Sequence, residues 1–569
     1  MIVKYSASVF KKFQISFYGV CALAIIFVAS GFRVVLISLG WPSTNGDEAI
    51  MNLMALHIKE RGEHPVFYYG QNYLGSVEAH FGAVMFTLFG TSVWSMRLGS
   101  ILFYAGFLGC MYLLTSRIYS KRLALFVLAF LGLGTEYVLI YQLQITGYTE
   151  LPFLCALLLL ISYVIASAHH QISWYSRAVL YLLWGIVAGL TLWAHLVTVP
   201  YILVSGLLLI LCCWRELLKW SMWCTLLGLI IGAWPLIYYN IHAPHGQDSI
   251  HIFLTMGQLG AGGNYLPSDY INSSLFIALP AISGLYPRCY VKHVPFIPST
   301  LPNSQFCIGI QQIYGISYLL LFLVSLVLAS VAIIGCWRYL SKNKSFLERQ
   351  QLTRQYARLM LLLGAALTFI VFARNTASVF TGVIGLRYII CTLVSLPAIL
   401  WPLWNGIAKI KGTPRVLSTA LFALRIGILL LVLIVNFRAT SHIFEGIPQA
   451  QSEKQRLTQL AERLEQMQVT RFYSEYWTCN RLMFESHEKL ICGDTWISQE
   501  ALSHGYDRYL PYQMTVRAAA NPGFVFPAGM PQITVLEKAL KSSRIPYQHV
   551  EFDGYEIYQP THPIPGQQL

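Results

Sequence analysis

The stretch Gln14–Glu48, QISFYGVCALAIIFVASGFRVVLISLGWPSTNGDE, decides the fold class. From Gln14 to Leu39 it is an apolar run long enough to cross ~30 Å of hydrocarbon at a rise of ~1.5 Å per residue. It is too long for the core of a signal peptide and no small-residue cleavage site follows, so it reads as a retained helix. Trp41-Pro42 ends that helix at an interface. Asp47 and Glu48 come next, two adjacent acids in a chain with only 25 Asp and Glu among 569 residues. A carboxylate in hydrocarbon costs about 3 kcal/mol or more and marks function by default, whereas at the surface it costs less. The meaning of the pair therefore depends on the side it faces and on what converges there.

The rest of the chain repeats the pattern. It is 56% hydrophobic and 11% charged, with mean hydropathy +0.55, outside the soluble globular range. This predicts a polytopic α-helical membrane protein. The net charge of +14 points to cytoplasmic loops that orient the helices, not to nucleic acid. The 12 cysteines show no metal-type CxxC spacing.

Loop charges set the topology. Lys4, Lys11 and Lys12 place the N-terminus in the cytoplasm, so Asp47 and Glu48 emerge outside. The segment Ser76–Phe89 is short for a span and carries Glu78 and His80, which suits an interfacial helix of the outer loop 41–97. Spans then fall near 98–116, 123–143, 150–167, 178–195, 197–213 and 221–239. After the long outer loop 240–312 they continue near 313–336, 359–373, 388–406 and 415–436. That is about eleven membrane helices, with Arg338, Lys342, Lys344, Arg349, Arg354 and Arg358 in one inner loop and Lys409, Lys411 and Arg415 in another. Residues 1–439 form the membrane domain on this reading.

Residues 440–569 read as a small α/β domain on the outer face. A helical pattern covers 455–468, and 471–484, 489–492, 523–526 and 550–558 are strand-like. The pairs Cys289/Cys307 and Cys479/Cys492 could each form a disulfide there. Asn272-Ser273-Ser274 matches a glycosylation acceptor.

The outer face thus collects Asp47, Glu48, His64, Gln71, Glu78, Glu150, His195, Arg374 and Arg387. A carboxylate can take a proton from an acceptor hydroxyl, and arginine forks suit a lipid phosphate. Simpler readings stand beside this. Asp47 also fits a helix N-cap with Glu48 in the first turn, and Glu150 an acidic start before Pro152. Arg374 and Arg387 could snorkel to headgroups, and His195 could be a packing residue. A transporter or flippase is the rival function, although the acids sit at one surface and no repeat is visible. A non-catalytic scaffold is a third.

Three stretches shift that balance: Gly46-Asp47-Glu48-Ala49, His64-Pro65-Val66-Phe67-Tyr68-Tyr69-Gly70 and the run Leu88–Leu98. In this order they resemble the N-terminal signature of the polyprenyl-phosphate-dependent GT-C glycosyltransferases, which include protein O-mannosyltransferases and lipid A aminoarabinose transferases. The resemblance covers about the first 200 residues and implies a GT-C membrane fold. It implies Asp47 as catalytic base, with Glu48 or Glu150 orienting it or holding a divalent metal. Arg387-Tyr388 is similar to a pair near the lipid phosphate, and Arg374 is a second candidate for that phosphate. His64, Tyr69, Gln71, Glu78 and His195 are expected to line the site. Tyr69-Gly70-Gln71 stands where the aminoarabinose transferases have Lys-Pro-Pro, which leaves the donor sugar and acceptor open. The tail resembles those of bacterial members and implies a part in binding the acceptor.

The expectation is an inverting transferase in the cytoplasmic membrane. It takes a sugar from a polyprenyl-phosphate-linked donor and passes it to a protein, lipid or glycan acceptor on the outer face. A divalent metal is the one cofactor this reading leaves open.

Overall fold

The structure is a computed structural model that describes residues 16–168, 173–252, 255, 265–285, 289, 304–340, 346–405 and 415–564. Lys4, Lys11, Lys12, Lys342, Lys344, Lys409 and Lys411, used above to orient the helices, lie outside the described residues. The chain is a polytopic α-helical membrane protein that ends in a small α/β domain.

Helix α1 (Phe17–Ser38) crosses first and is followed by α2 (Gly46–Arg61) and α3 (Val77–Phe89) in the first loop. Next come α4 (Val93–Ile118), α5 (Lys121–Gly132), α6 (Glu136–Leu143), α7 (Leu151–Ser167) and α8 (Trp174–Ala194). Then follow α9 (Val199–Leu217), α10 (Trp220–Gly232), α11 (Trp234–His242), α12 (Gln305–Leu340) and α13 (Phe346–Arg374). A 3-10 helix, Gly382–Ser395, leads into α14 (Leu396–Asn405), and α15 (Arg415–Ser441) runs on into α16 (Ile443–Gln466). Among the described residues eight helices are long and apolar enough to cross a membrane.

Two expected spans are bent. The segment 123–143 breaks between α5 and α6 by 88°, and 221–239 breaks between α10 and α11 by 68°. A break frees backbone carbonyls that hydrocarbon cannot satisfy. At the α5–α6 break the freed groups find side chains. Arg33 of α1 donates to the Gly132 carbonyl at 3.0 Å, Asn436 Nδ2 to the Phe130 carbonyl at 3.0 Å, and Thr440 Oγ1 to the Gly134 carbonyl at 2.9 Å. Arg33 also donates to Gln142 Oε1 from Nε at 3.1 Å and stacks over Tyr104 at 3.6 Å. Helices α8 and α10 pack through Gly185, Gly189, Gly228 and Gly232, where any β-carbon would collide with the facing backbone. Small residues four apart allow this approach, which apolar lipid by itself would not drive.

Helix α4 joins two poles of the molecule. At its start Arg97 reaches the first loop, and at its end the Ile118 carbonyl accepts from Arg358 Nη2 at 3.2 Å. Its 26 residues span about 39 Å. The basic segment containing Arg349, Arg354 and Arg358 therefore sits at the opposite pole from Asp47.

The tail carries a six-stranded sheet in the order β3-β2-β1-β4-β6-β5. The strands are β1 (Arg471–Ser474), β2 (Ile491–Ser498), β3 (Ala501–His504), β4 (Gly523–Pro527), β5 (Tyr547–Phe552) and β6 (Tyr555–Pro560). The central β2-β1-β4 pairs are parallel and the edges antiparallel. Helices α17 (Tyr476–Glu485), α18 (Leu510–Arg517) and α19 (Pro531–Ser543) connect them. The expected strand 471–484 is a four-residue strand followed by α17, because Glu475 accepts from the amides of Trp477 and Thr478 and starts a helix. The run 550–558 is a hairpin that turns at Asp553-Gly554, both at positive φ. Both anticipated cysteine pairs are bridged, Cys289–Cys307 and Cys479–Cys492. Leu457, Leu460 and Leu464 of α16 join α2 and the sheet in one apolar core, so the tail is seated on the first loop.

Candidate active site

Asp47 stands in the first turn of α2, but it does not cap the helix. Asn45 does: its Oδ1 accepts from the Glu48 amide at 2.8 Å. Asp47 is thereby left free to face outward from the helix start. Its Oδ1 accepts from Tyr476 Oη at 2.6 Å, and its Oδ2 lies 3.8 Å from Arg387 Nη1. Tyr68 Oη donates to the Asp47 carbonyl at 3.1 Å. Burial and the Asp47 carboxylate push the Tyr476 hydroxyl above its ordinary pKa, so it remains a hydrogen-bond donor.

Arg387 is carried by the 3-10 helix Gly382–Ser395, 14 residues long where most such helices run about 3–4. The Ile384 carbonyl accepts from Tyr141 Oη at 2.9 Å, which pins this helix to α6. The Arg387 guanidinium lies 5.5 Å over the Tyr148 ring and 5.1 Å over the Tyr388 ring, and Nη2 donates to Tyr388 Oη at 3.2 Å. Its Nε has no partner within the protein, which leaves a fork edge for an anion.

Asp47, Arg387 and Tyr388 line one cavity of about 680 Å³ whose far wall is the tail domain. Arg508 of that wall donates from Nε to Tyr476 Oη at 3.2 Å. With the Gln71 amide oxygen turned toward it, both terminal nitrogens of Arg508 donate to Gln71 at 3.0 Å. Burial opposes the Arg508 charge, but the Tyr68 and Tyr476 hydroxyls and Asp47 more than offset this and raise its pKa. The cavity thus has a carboxylate between two guanidinium groups, one from each domain.

The remaining expected site residues divide. Gln71 and Tyr388 line the cavity with Asp47 and Arg387. Glu48 turns inward and is held by Arg97, Nε to Oε1 at 2.7 Å and Nη2 to Oε2 at 2.6 Å. Both side chains are buried, and neither lines the cavity. Glu150 begins α7 but makes no capping bond. It is buried beside Glu78. Glu78 accepts from the amides of Gly147 (2.5 Å) and Thr149 (2.7 Å), fixing the second loop behind the cavity.

His195 lies in the same layer. Its Nδ1 accepts from the Val197 amide at 3.0 Å, so the ring proton sits on Nε2, 3.2 Å from Tyr148 Oη. The ring thereby orients Tyr148. Tyr69 faces away, bonded to His57 Nδ1 (2.9 Å) and Glu63 (2.6 Å). His64 stacks on His80, and Arg374 is exposed at the end of α13, outside the cavity lining. No group of three or more His, Cys, Asp and Glu among the described residues could hold a metal. Glu48 is committed to Arg97, and neither Glu48 nor Glu150, the acids expected to hold a divalent metal, lines the cavity with Asp47.

Tyr476 and Arg508 were not anticipated. The signal available was compositional: a tail with Tyr476-Trp477, Trp496 and Tyr506-Asp507-Arg508 presents aromatic rings beside charges, unlike the filler of a small core. No spacing rule links positions 429 residues apart in the chain, as Asp47 and Tyr476 are.

No protein-family model and no curated protein matches the chain. Among solved structures it is similar to ArnT from Cupriavidus metallidurans in the apo state, with 14% identity, TM-score 0.42, and coverage of 95% of this chain and 97% of that one. The same protein bound to undecaprenyl phosphate gives 13% identity and TM-score 0.44 over the same shares. The Archaeoglobus fulgidus oligosaccharyltransferase in apo form gives 12% identity and TM-score 0.46, over 89% of this chain and 69% of that one.

Proposed function

We propose that the chain is an inverting glycosyltransferase of the cytoplasmic membrane that moves a sugar from a polyprenyl-phosphate-linked donor to an acceptor hydroxyl on the outer face. One observation carries this reading: Asp47 Oδ2 and Arg387 Nη1 stand 3.8 Å apart on the wall of one cavity, at the pole of α4 opposite the basic segment. Basic segments stay in the cytoplasm, which supports an outer site.

The acceptor oxygen attacks the anomeric carbon on the face opposite the phosphate. Its proton passes to Asp47 Oδ2 as the new carbon–oxygen bond forms. The bond from that carbon to the phosphate oxygen breaks, and the electron pair leaves with the polyprenyl phosphate. Configuration at the carbon inverts. Tyr476 holds the other carboxylate oxygen in place, so the base is oriented before substrate arrives. Arg387 neutralises charge that grows on the leaving phosphate, in a partly enclosed site where such stabilisation is strong. Arg508 adds a second positive group on the tail side.

The test is sugar transfer by Asp47→Asn in nanodiscs, with lipid-linked sugars extracted from the native membrane as donors. Loss of a positioned general base lowers turnover by about 10²–10⁴-fold, with the protein still expressed and folded. Near-normal turnover removes Asp47 as base. Mass spectrometry of envelope glycans with and without the gene identifies the sugar and the acceptor.

A further inference from the structure

The tail domain forms the cavity wall that faces Asp47, and its surface is unusual for a domain seated on a membrane protein. Trp477, Trp496 and Tyr506 all line the cavity, yet they are 51%, 68% and 63% exposed. Large aromatic rings left open beside a catalytic residue, and not packed in a core, present flat apolar faces to a ligand. Asp494 and Trp496 are two apart on β2, so strand geometry puts them on one face of the sheet.

The floor between these rings is polar and incompletely satisfied. Asp494 is 6% exposed and Gln532 7%, and both line the cavity. Asp494 Oδ2 accepts from the Tyr506 amide at 2.6 Å, but Asp494 Oδ1 has no partner within the protein, and neither has Gln532 Oε1. Thr146 Oγ1, on the opposite wall of the same cavity, is also buried without a partner. Buried acceptors cost free energy when unpaired, so their concentration in one cavity marks where a ligand supplies donors. A ligand with many hydroxyl donors and apolar ring faces matches both features: its C–H faces lie on the aromatic rings while its hydroxyls reach the carboxylate and amide oxygens. A peptide offers backbone donors in a line but no such alternation of faces.

We propose that the tail wall of this cavity is a saccharide subsite that holds the acceptor glycan against Asp47, with Trp496 and Trp477 as stacking platforms and Asp494 and Gln532 as hydroxyl acceptors. This deepens the glycosyltransferase reading and rests on it for the word acceptor. The subsite itself is open to test without any donor. The second guanidinium, Arg508, lies over the Tyr506 ring at 4.4 Å, so it fixes that ring as well as facing the carboxylate.

The experiment is saturation-transfer difference NMR on the full-length protein in nanodiscs, titrated with maltotriose, mannotriose and chitotriose, and in parallel with a serine- and threonine-containing hexapeptide. The expected result is transfer to the ring protons of at least one trisaccharide. Trp496→Ala should bind it roughly tenfold or more weakly, and Trp496→Tyr should restore binding to within about threefold, since the flat face is what acts. Asp494→Asn should weaken it as well; the Trp496 pair decides the matter should that variant not fold. Transfer to none of the trisaccharides, wild-type binding by Trp496→Ala, or transfer to the hexapeptide alone each overturns the proposal, the last assigning the wall to a peptide acceptor. Because no donor is present, this outcome is independent of whether Asp47→Asn loses transfer.

Discussion

Replacing Arg97 by Ala separates the structural reading of Glu48 from the catalytic one. The guanidinium makes two bonds to the Glu48 carboxylate, at 2.7 and 2.6 Å, and a third to the Pro42 carbonyl at 2.7 Å. Both side chains are buried. Removing one partner of a buried pair leaves an uncompensated charge and costs about 3–5 kcal/mol, and the Pro42 carbonyl adds about 1 kcal/mol as an unmet acceptor. Arg97→Ala should therefore lose roughly 4–6 kcal/mol. Glu48→Ala should lose a comparable amount from the other side. The double variant Glu48→Leu with Arg97→Met removes both charges at similar volume and should recover all but about 1–2 kcal/mol. The assay is SDS-driven unfolding in mixed micelles, followed by tryptophan fluorescence, with sugar transfer measured on the folded fraction. The double variant should retain transfer within a few-fold, because neither residue lines the cavity. A double variant that is stable yet has lost transfer by a thousandfold would refute the reasoning and return Glu48 to the catalytic group.

Tyr476→Phe deletes the 2.6 Å bond to Asp47 while keeping the ring, so kcat should fall about 10–100-fold, the worth of a hydrogen bond to a charged group. KM for the donor should change little, as read from initial rates. Gly232→Leu should force α8 and α10 apart at the Ile186 carbonyl and cost about 1–3 kcal/mol of overpacking, visible as reduced thermal stability in detergent.

Hydropathy, loop charge and motif order were enough to expect the membrane class, the short helix at Val77–Phe89 and the interest of Asp47 and Arg387. Each depends on local composition, which a linear reading captures. The bends at 133–135 and at Ala233 were missed because a broken span keeps its hydropathy. What permits the α5–α6 break is Arg33, Asn436 and Thr440 reaching the freed carbonyls from other helices. Strand β1 and α17 were merged because apolar spacing alone does not show that Glu475 caps a helix.

Side-chain direction was the larger loss. Glu48 and Asp47 are neighbours in sequence, but successive residues of a helix diverge by about 100°. One therefore turns into the core toward Arg97 while the other faces Arg387 and Tyr476. The sequence by itself determined the membrane class, because transfer free energy is a property of segments. Only the tertiary structure decided that Asp47 faces Arg387 while Glu48 pairs with Arg97, and that the tail closes its cavity with Tyr476, Arg508 and open tryptophans. Those contacts join residues tens to hundreds of positions apart, where helix packing and not local pattern sets which side chains meet.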